Sequence, residues 1–162
     1  MWVEKGQPTP ICPTKNFPLK IQVWDAIGKR GRSDLYLIPK EKRLYAKDYQ
    51  DVLQNSLIPK LQSISTKLLI FMQDGASCHT AKSTCEWLRS NKINFIDDWP
   101  AQSPDINPIE NVWKIIKDRI DFTNITSQQD LFERIKKEWN TLTIKEIRNL
   151  ISSLPRRTDA VV

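Results

Sequence analysis

Met72–Ile120 reads MQDGASCHTAKSTCEWLRSNKINFIDDWPAQSPDINPIENVWKIIKDRI, and two acids in it, Asp74 and Glu110, decide how the chain is read. The apolar run Lys67–Gln73, KLLIFMQ, predicts a buried strand that delivers Asp74 to its end. Glu110 stands in the first turn of a helix that opens at Asn107-Pro108. Carboxylates on separate rigid elements suit hard divalent cations, because Mg²⁺ takes oxygen ligands in near-octahedral geometry. A pair of such ions can activate an attacking oxygen and stabilise a leaving one in phosphodiester chemistry. Each acid also has a plainer explanation. Asp74-Gly75 is a turn signal, and Asn107, Pro108 and Glu110 fit a capping box that needs no metal.

Outward from Glu110, the residues Ile109, Val112, Trp113, Ile116 and Ile120 fall on one apolar helix face. Glu110, Lys114 and Lys117 then lie along its flank, the acid at the site and the bases placed for a phosphate backbone. His79 is the chain's single histidine. It reads either as a surface or capping group, or as a partner that orients Asp74 or contacts phosphate. Lys29, Arg30 and Arg32 crowd a turn, which is either a solvated hairpin tip or a sequence-blind phosphate contact. Trp87, Trp113 and Trp139 sit in helices and read as core.

QDGASCHT followed by WPAQSPDINPIENVWKIIK resembles the catalytic domain of mariner-like transposases of the Tc/mariner superfamily. MWVEKGQP, IQVWDAIGKRG and LISSLPRRTDAVV extend the resemblance over nearly the whole chain. It implies a DDE enzyme that cuts and rejoins DNA with two Mg²⁺ or Mn²⁺ ions held by three carboxylates. Asp74 and Glu110 fall on two of those three positions, as catalytic and metal-binding residues. Implied partners are DNA, as transposon ends and target, and a second copy through the proline-rich loop 5–19; the implied location in a eukaryote is the nucleus. The chain departs from the pattern at Gly75, where Asn is usual, and by one residue inserted around Asp97-Asp98.

In the family, the first catalytic Asp lies on an opening strand upstream of the segment matching MWVEKGQP. That Asp has no counterpart in this sequence, nor has the paired helix-turn-helix region. Asp25 and Asp34 are the nearest acids, but both fall in later strands, and neither is promoted. The expectation is therefore an α/β, RNase H-like mixed sheet flanked by helices that lacks its first, central strand. An extended loop at 1–19, a core at 20–153 and a basic tail at 154–162 would make up one partial catalytic domain, inactive by itself. The rival readings are a non-catalytic DNA- or protein-binding remnant and a decayed fragment with no selected role.

Composition agrees with a single domain. The chain has 162 residues, 40% of them hydrophobic, enough for one core. A net charge of +6 suits a polyanionic partner. No run of eighteen apolar residues predicts a membrane span, and Glu4, Pro8 and Pro10 do not fit a signal peptide. Cys12, Cys78 and Cys85 form no C-x-x-C pair and read as reduced thiols.

The expected order is a strand at 20–27, a turn at 28–31, a strand at 34–38, and a helix at 46–58 stopped by Pro59. A strand at 67–73, a helix at 80–90 and a short strand at 93–96 follow. Helices at 107–121, 127–141 and 143–153 close the chain.

Overall fold

The hairpin expected around Gly28–Gly31 forms the centre of the molecule. In this computed structural model, which describes residues 19–40, 43–62, 69–97 and 107–155, strand β1 (Gln22–Trp24) pairs antiparallel with β4 (Tyr36–Ile38), Val23 opposite Leu37. Between them, β2 (Ile27–Gly28) and β3 (Gly31–Arg32) form the tip of the hairpin. Gly31 has φ +138°, a conformation that L side chains rarely adopt. Ser33 closes the bend, its hydroxyl accepting from the Ala26 N–H at 2.9 Å.

Helix α1 (Ala46–Val52) runs through a π-helical turn (Leu53–Leu57) into α2 (Ile58–Gln62). Pro59 therefore does not stop the helix, contrary to expectation. In the π turn the Ile58 N–H reaches back five residues to the Leu53 carbonyl. The ordinary i→i−4 ladder is already broken where proline would break it, so the ring is tolerated.

The expected strand at 67–73 is only partly seen. Residues 63–68 lie outside the described residues, and beyond them Phe71 forms a single parallel bridge with Phe95. Nor is it buried throughout: Ile70 is 68% exposed. Among the described residues no second strand pairs with this segment to cover it. The expected helix at 80–90 is split into α3 (Ser77–Thr80) and α4 (Lys82–Ser90), with Ala81 extended between them. Thr84 and Leu88 are its buried pair, while Cys85 is half-buried. The buried Thr84 hydroxyl is satisfied by donating to the Cys78 carbonyl at 2.8 Å.

Helices α5 (Pro108–Arg119), α6 (Gln128–Thr141) and α7 (Ile144–Ser152) follow their apolar periodicity. Val112 and Ile116 on α5 and Ile120 at its C-terminal cap are buried, with Ile109 and Trp113 packed at the margin. Ser127 caps α6 and Thr143 caps α7, the latter with Glu146 in a reciprocal capping box. The N–H and hydroxyl of Thr143, and then Arg119, hold the Glu146 carboxyl down at about 2.

Two apolar clusters lie on either side of the hairpin. Trp24 and Ile38 join Tyr49, Val52, Leu53, Leu88 and Ile93 in one. Ile21, Ile27 and Leu35 pack on the other, built from α5, α6 and α7 around Trp139 and Ile147. This alternation follows from successive strand side chains pointing to opposite faces. Trp139 is fully buried, lies 6.1 Å from the Trp113 ring, and donates its indole N–H to the Ser33 carbonyl at 2.9 Å. Trp139→Ala is expected to cost about 3–5 kcal/mol, as large-to-small changes of buried aromatics do. Urea denaturation followed by circular dichroism would measure it; a loss under 1 kcal/mol would mean that the hairpin does not lean on this ring.

No helix among the described residues is long and apolar enough to cross a membrane.

Candidate active site

Asp74 follows the bridged segment and precedes α3, and its surroundings are built from three elements. Its Oδ1 accepts from the Ala76 N–H at 3.1 Å and lies 2.5 Å from His79 Nδ1 on α3. The turn expected from Asp74-Gly75 is thus part of the arrangement rather than an alternative to it. Oδ2 makes no hydrogen bond among the described residues, and the side chain is 60% exposed. His79 is mostly covered, its ring 4.1 Å from that of Tyr49 on α1. The Tyr49 hydroxyl donates to Gln73 Oε1 at 2.9 Å, and Gln73 Nε2 donates to the His79 carbonyl at 3.1 Å. Burial pushes the phenol of Tyr49 and the thiol of Cys78 upward. Cys78 and Cys85 are free thiols.

Glu110 occupies the first turn of α5 and is exposed. The Asn107 side chain caps the helix by accepting from the Ile109 N–H at 3.2 Å. The reciprocal bond from the Glu110 side chain is absent among the described residues, so the cap leaves that carboxylate unused. Lys114 and Lys117 follow on the exposed side of α5.

One acid gains prominence that sequence did not give it. Asp25 follows β1 directly, with its Oδ1 buried and without a partner among the described residues. Burial, and secondarily the negative charge of Glu110, pushes its carboxyl up to about 7. The signal was present in QVWD, an acid closing an apolar strand, but nothing in the sequence places that strand end near Glu110. Asp34, the other acid considered, is exposed and pairs with Lys60 at 3.2 Å. Asp97 makes a bidentate pair with Arg89, both bonds at 2.8 Å.

The structure gives Asp74 and His79 direct contact and sets Asp25 near Glu110. No hydrogen bond links Asp74 with Glu110 among the described residues, and no three His, Cys, Asp or Glu side chains there form a metal-holding group. The donor chemistry still fits a hard cation. Among the described residues, Asp74 Oδ2 and the Glu110 carboxylate are exposed and without hydrogen-bond partners, and Asp25 Oδ1 is buried without one.

The basic residues divide. Lys29 and Arg30 are exposed at the hairpin tip, whose Lys29 carbonyl accepts from Arg148 at 2.8 Å. Arg32 instead donates to the Leu142 and Asn140 carbonyls at 2.8 and 2.7 Å, tying β3 to the end of α6. Its fork satisfies carbonyls at a helix C-terminus. Arg156 and Arg157 and the loop 5–18 lie outside the described residues.

Residues 1–132 match the family described as DDE superfamily endonuclease. The transposable element Tcb1 transposase of Caenorhabditis briggsae is 28% identical over 152 residues, which cover 93% of this chain and 55% of that protein. The transposable element Tc3 transposase of Caenorhabditis elegans is 31% identical over 144 residues, 88% of this chain and 43% of that one. The chain spans about half the length of the curated relatives it matches. Among solved structures, the Mos1 strand transfer complex superposes with a TM-score of 0.79 at 22% identity, over 98% of this chain and 47% of that one. The catalytic domain of Mos1 transposase with Raltegravir and Mn gives 0.77 at 20% identity, over 88% and 74%. These likenesses establish the fold, a mixed α/β arrangement of the RNase H-like kind.

Proposed function

The chain belongs to the DDE superfamily endonucleases, among the Tc1/mariner transposases, and from that premise we propose that it is the catalytic part of an enzyme that moves DNA by metal-dependent phosphodiester cleavage and strand transfer. The observation that carries the reading is the pair of carboxylates left open to solvent, Asp74 fixed through one oxygen and Glu110 released from its cap. In this reading both are catalytic metal ligands, with Mg²⁺ or Mn²⁺ as the ions. Bound there, such ions would supply activation of the attacking oxygen and charge neutralisation at the leaving one. The Mos1 catalytic domain has been solved with Mn and with Mg. The protein's own part is to hold Asp74 Oδ1 through His79 and Ala76, leaving Oδ2 outward, and to carry Glu110 on a capped helix.

The reading includes a further strand that completes the sheet and brings a third acid. The exposed Leu69 and Ile70 and the lone Phe71–Phe95 bridge support it, since an apolar sheet edge calls for a partner. Without a third acid to complete the set the chain is expected to be inactive, because Asp74 and Glu110 alone leave one ion under-coordinated.

DNA is the partner. The Mos1 transposase has been solved in a paired-end complex with its left transposon end. In this chain Lys29, Arg30, Lys114 and Lys117 are exposed and would meet phosphates, without reading bases. Four phosphate contacts predict that duplex affinity falls on the order of a hundredfold between 50 and 200 mM salt. Fluorescence anisotropy of a labelled duplex measures this slope. Salt-insensitive binding with a strong preference for one sequence would contradict the phosphate-contact reading and favour a dedicated recognition module. Nuclear action in a eukaryotic host and pairing of two copies through residues 5–19 belong to the same proposal.

A further inference from the structure

Tyr49 sits on α1, twenty-five residues before Asp74, and reads by its helical spacing as ordinary core. It is 1% exposed. Yet its two ends grip two different neighbours of the acid. The ring lies against the His79 imidazole, centroids 4.1 Å apart and planes at 37°. The hydroxyl donates to Gln73 Oε1 at 2.9 Å, and the other end of that amide donates to the His79 carbonyl at 3.1 Å. Gln73 precedes Asp74 in the chain, and His79 holds Asp74 Oδ1. Tyr49 thus closes a loop of contacts around the carboxylate from an element that carries no site residue of its own.

Packing alone does not account for this. A phenylalanine would fill the same space, whereas a buried phenol must find an acceptor to offset its desolvation. Its acceptor is the side chain adjoining Asp74. The imidazole, in turn, is confined between the Asp74 carboxylate and the Tyr49 ring. A carboxylate with one oxygen held and its partner immobilised keeps the other oxygen in a fixed direction, which is what a ligand for a cation of demanding geometry requires.

We infer that Tyr49 is a positioning residue: through Gln73 and His79 it fixes Asp74 so that Oδ2 faces outward toward a divalent cation. The inference rests on the reading of Asp74 as a metal ligand. Its reach is the affinity for the ion rather than the chemistry of the reaction, since Tyr49 is buried behind Gln73 and His79.

The test is Mn²⁺ binding by residues 1–162, read by electron paramagnetic resonance of the free ion and by broadening of the His79 ring signals. His79 is the chain's single histidine, so its ring signals are unambiguous. Tyr49→Phe and Gln73→Met are each expected to weaken Mn²⁺ about tenfold, the lower end of what loss of a ligand-orienting partner costs. The double variant should weaken it no further, because both changes break one chain of contacts. Tyr49→Leu should also abolish the ring-current shift of the His79 signals. Asp74→Ala separates the two levels of the argument. If Asp74→Ala leaves Mn²⁺ affinity unchanged, the ligand reading falls and the inference with it. If Asp74→Ala abolishes binding while Tyr49→Phe and Gln73→Met bind as the parent does, the ligand reading stands and Tyr49 is merely core. Additive losses in the double variant would equally overturn the inference, by showing two independent packing defects. Should Tyr49→Leu fail to fold, the Tyr49→Phe and Gln73→Met cycle decides alone.

Discussion

Asp74→Ala and Glu110→Ala are each expected to lower metal-dependent DNA nicking by at least a hundredfold, in a form of this protein extended by a strand that carries a third acid. Losing one group that stabilises charge in an active site has an effect of that order. The two losses should not add, because carboxylates that share one pair of ions act as a unit. Conversion of supercoiled plasmid to the nicked circle under Mg²⁺ and then Mn²⁺ is the measurement. Residues 1–162 alone should leave the plasmid intact, since no three acids come together among the described residues. Robust nicking by the chain alone that survives Asp74→Ala would place the chemistry elsewhere. Nicking by the chain alone that Asp74→Ala abolishes would mean that Asp25 or another of its own acids completes the set.

How much of this was legible depended on what each residue's neighbours in sequence could say. Helix α5 was readable because Val112, Ile116 and Ile120 recur with the helical period, and all three are buried. The hairpin was readable from alternation around Gly28–Gly31. Pro59 misled because proline reports only that one hydrogen bond is missing; the π turn that had already removed it leaves no local signature. The apolar run before Asp74 predicted burial, but burial needs a covering partner, and Ile70 stays exposed where none is described.

The site divides in the same way. Asp74, Glu110 and His79 are marked by the words around them, and the His79–Asp74 contact follows from their closeness in sequence. Tyr49, Gln73 and Arg32 act through contacts 24 to 110 residues long. Arg32 looked like one more cation at a turn, yet it ends on the carbonyls of Asn140 and Leu142. Side chains at such positions have a sequence context but no visible partner, and only the fold supplies one.

Asp25→Asn is expected to stabilise the chain at neutral pH and to flatten its stability against pH. Asp25 has a folded carboxyl pushed up to about 7 from 3.8, by burial first and by the Glu110 charge second. Below about pH 4 the carboxyl is protonated in both folded and unfolded chains and has no differential effect. Between pH 4 and 7 the folded chain keeps a proton that the unfolded chain has released, so stability falls as pH rises. Above about 7 both states are ionised, and the loss is complete. At about 1.4 kcal/mol per pH unit, the displacement sets a ceiling of about 4 kcal/mol on that loss. Asparagine keeps the shape and removes the charge, so urea midpoints at pH 4.5 and 7.5 should differ less in the variant than in the parent. Glu110→Gln should recover only a minor part, because the Glu110 charge is the smaller of the two causes. A variant whose pH dependence matches the parent's would mean that the Asp25 carboxylate is solvated in solution. A buried acid held beside a second one against its own solvation is a stability cost, and such costs concentrate where a protein keeps charge for a task. In this chain the cost falls at Asp25, beside Glu110, the acid proposed above as a metal ligand.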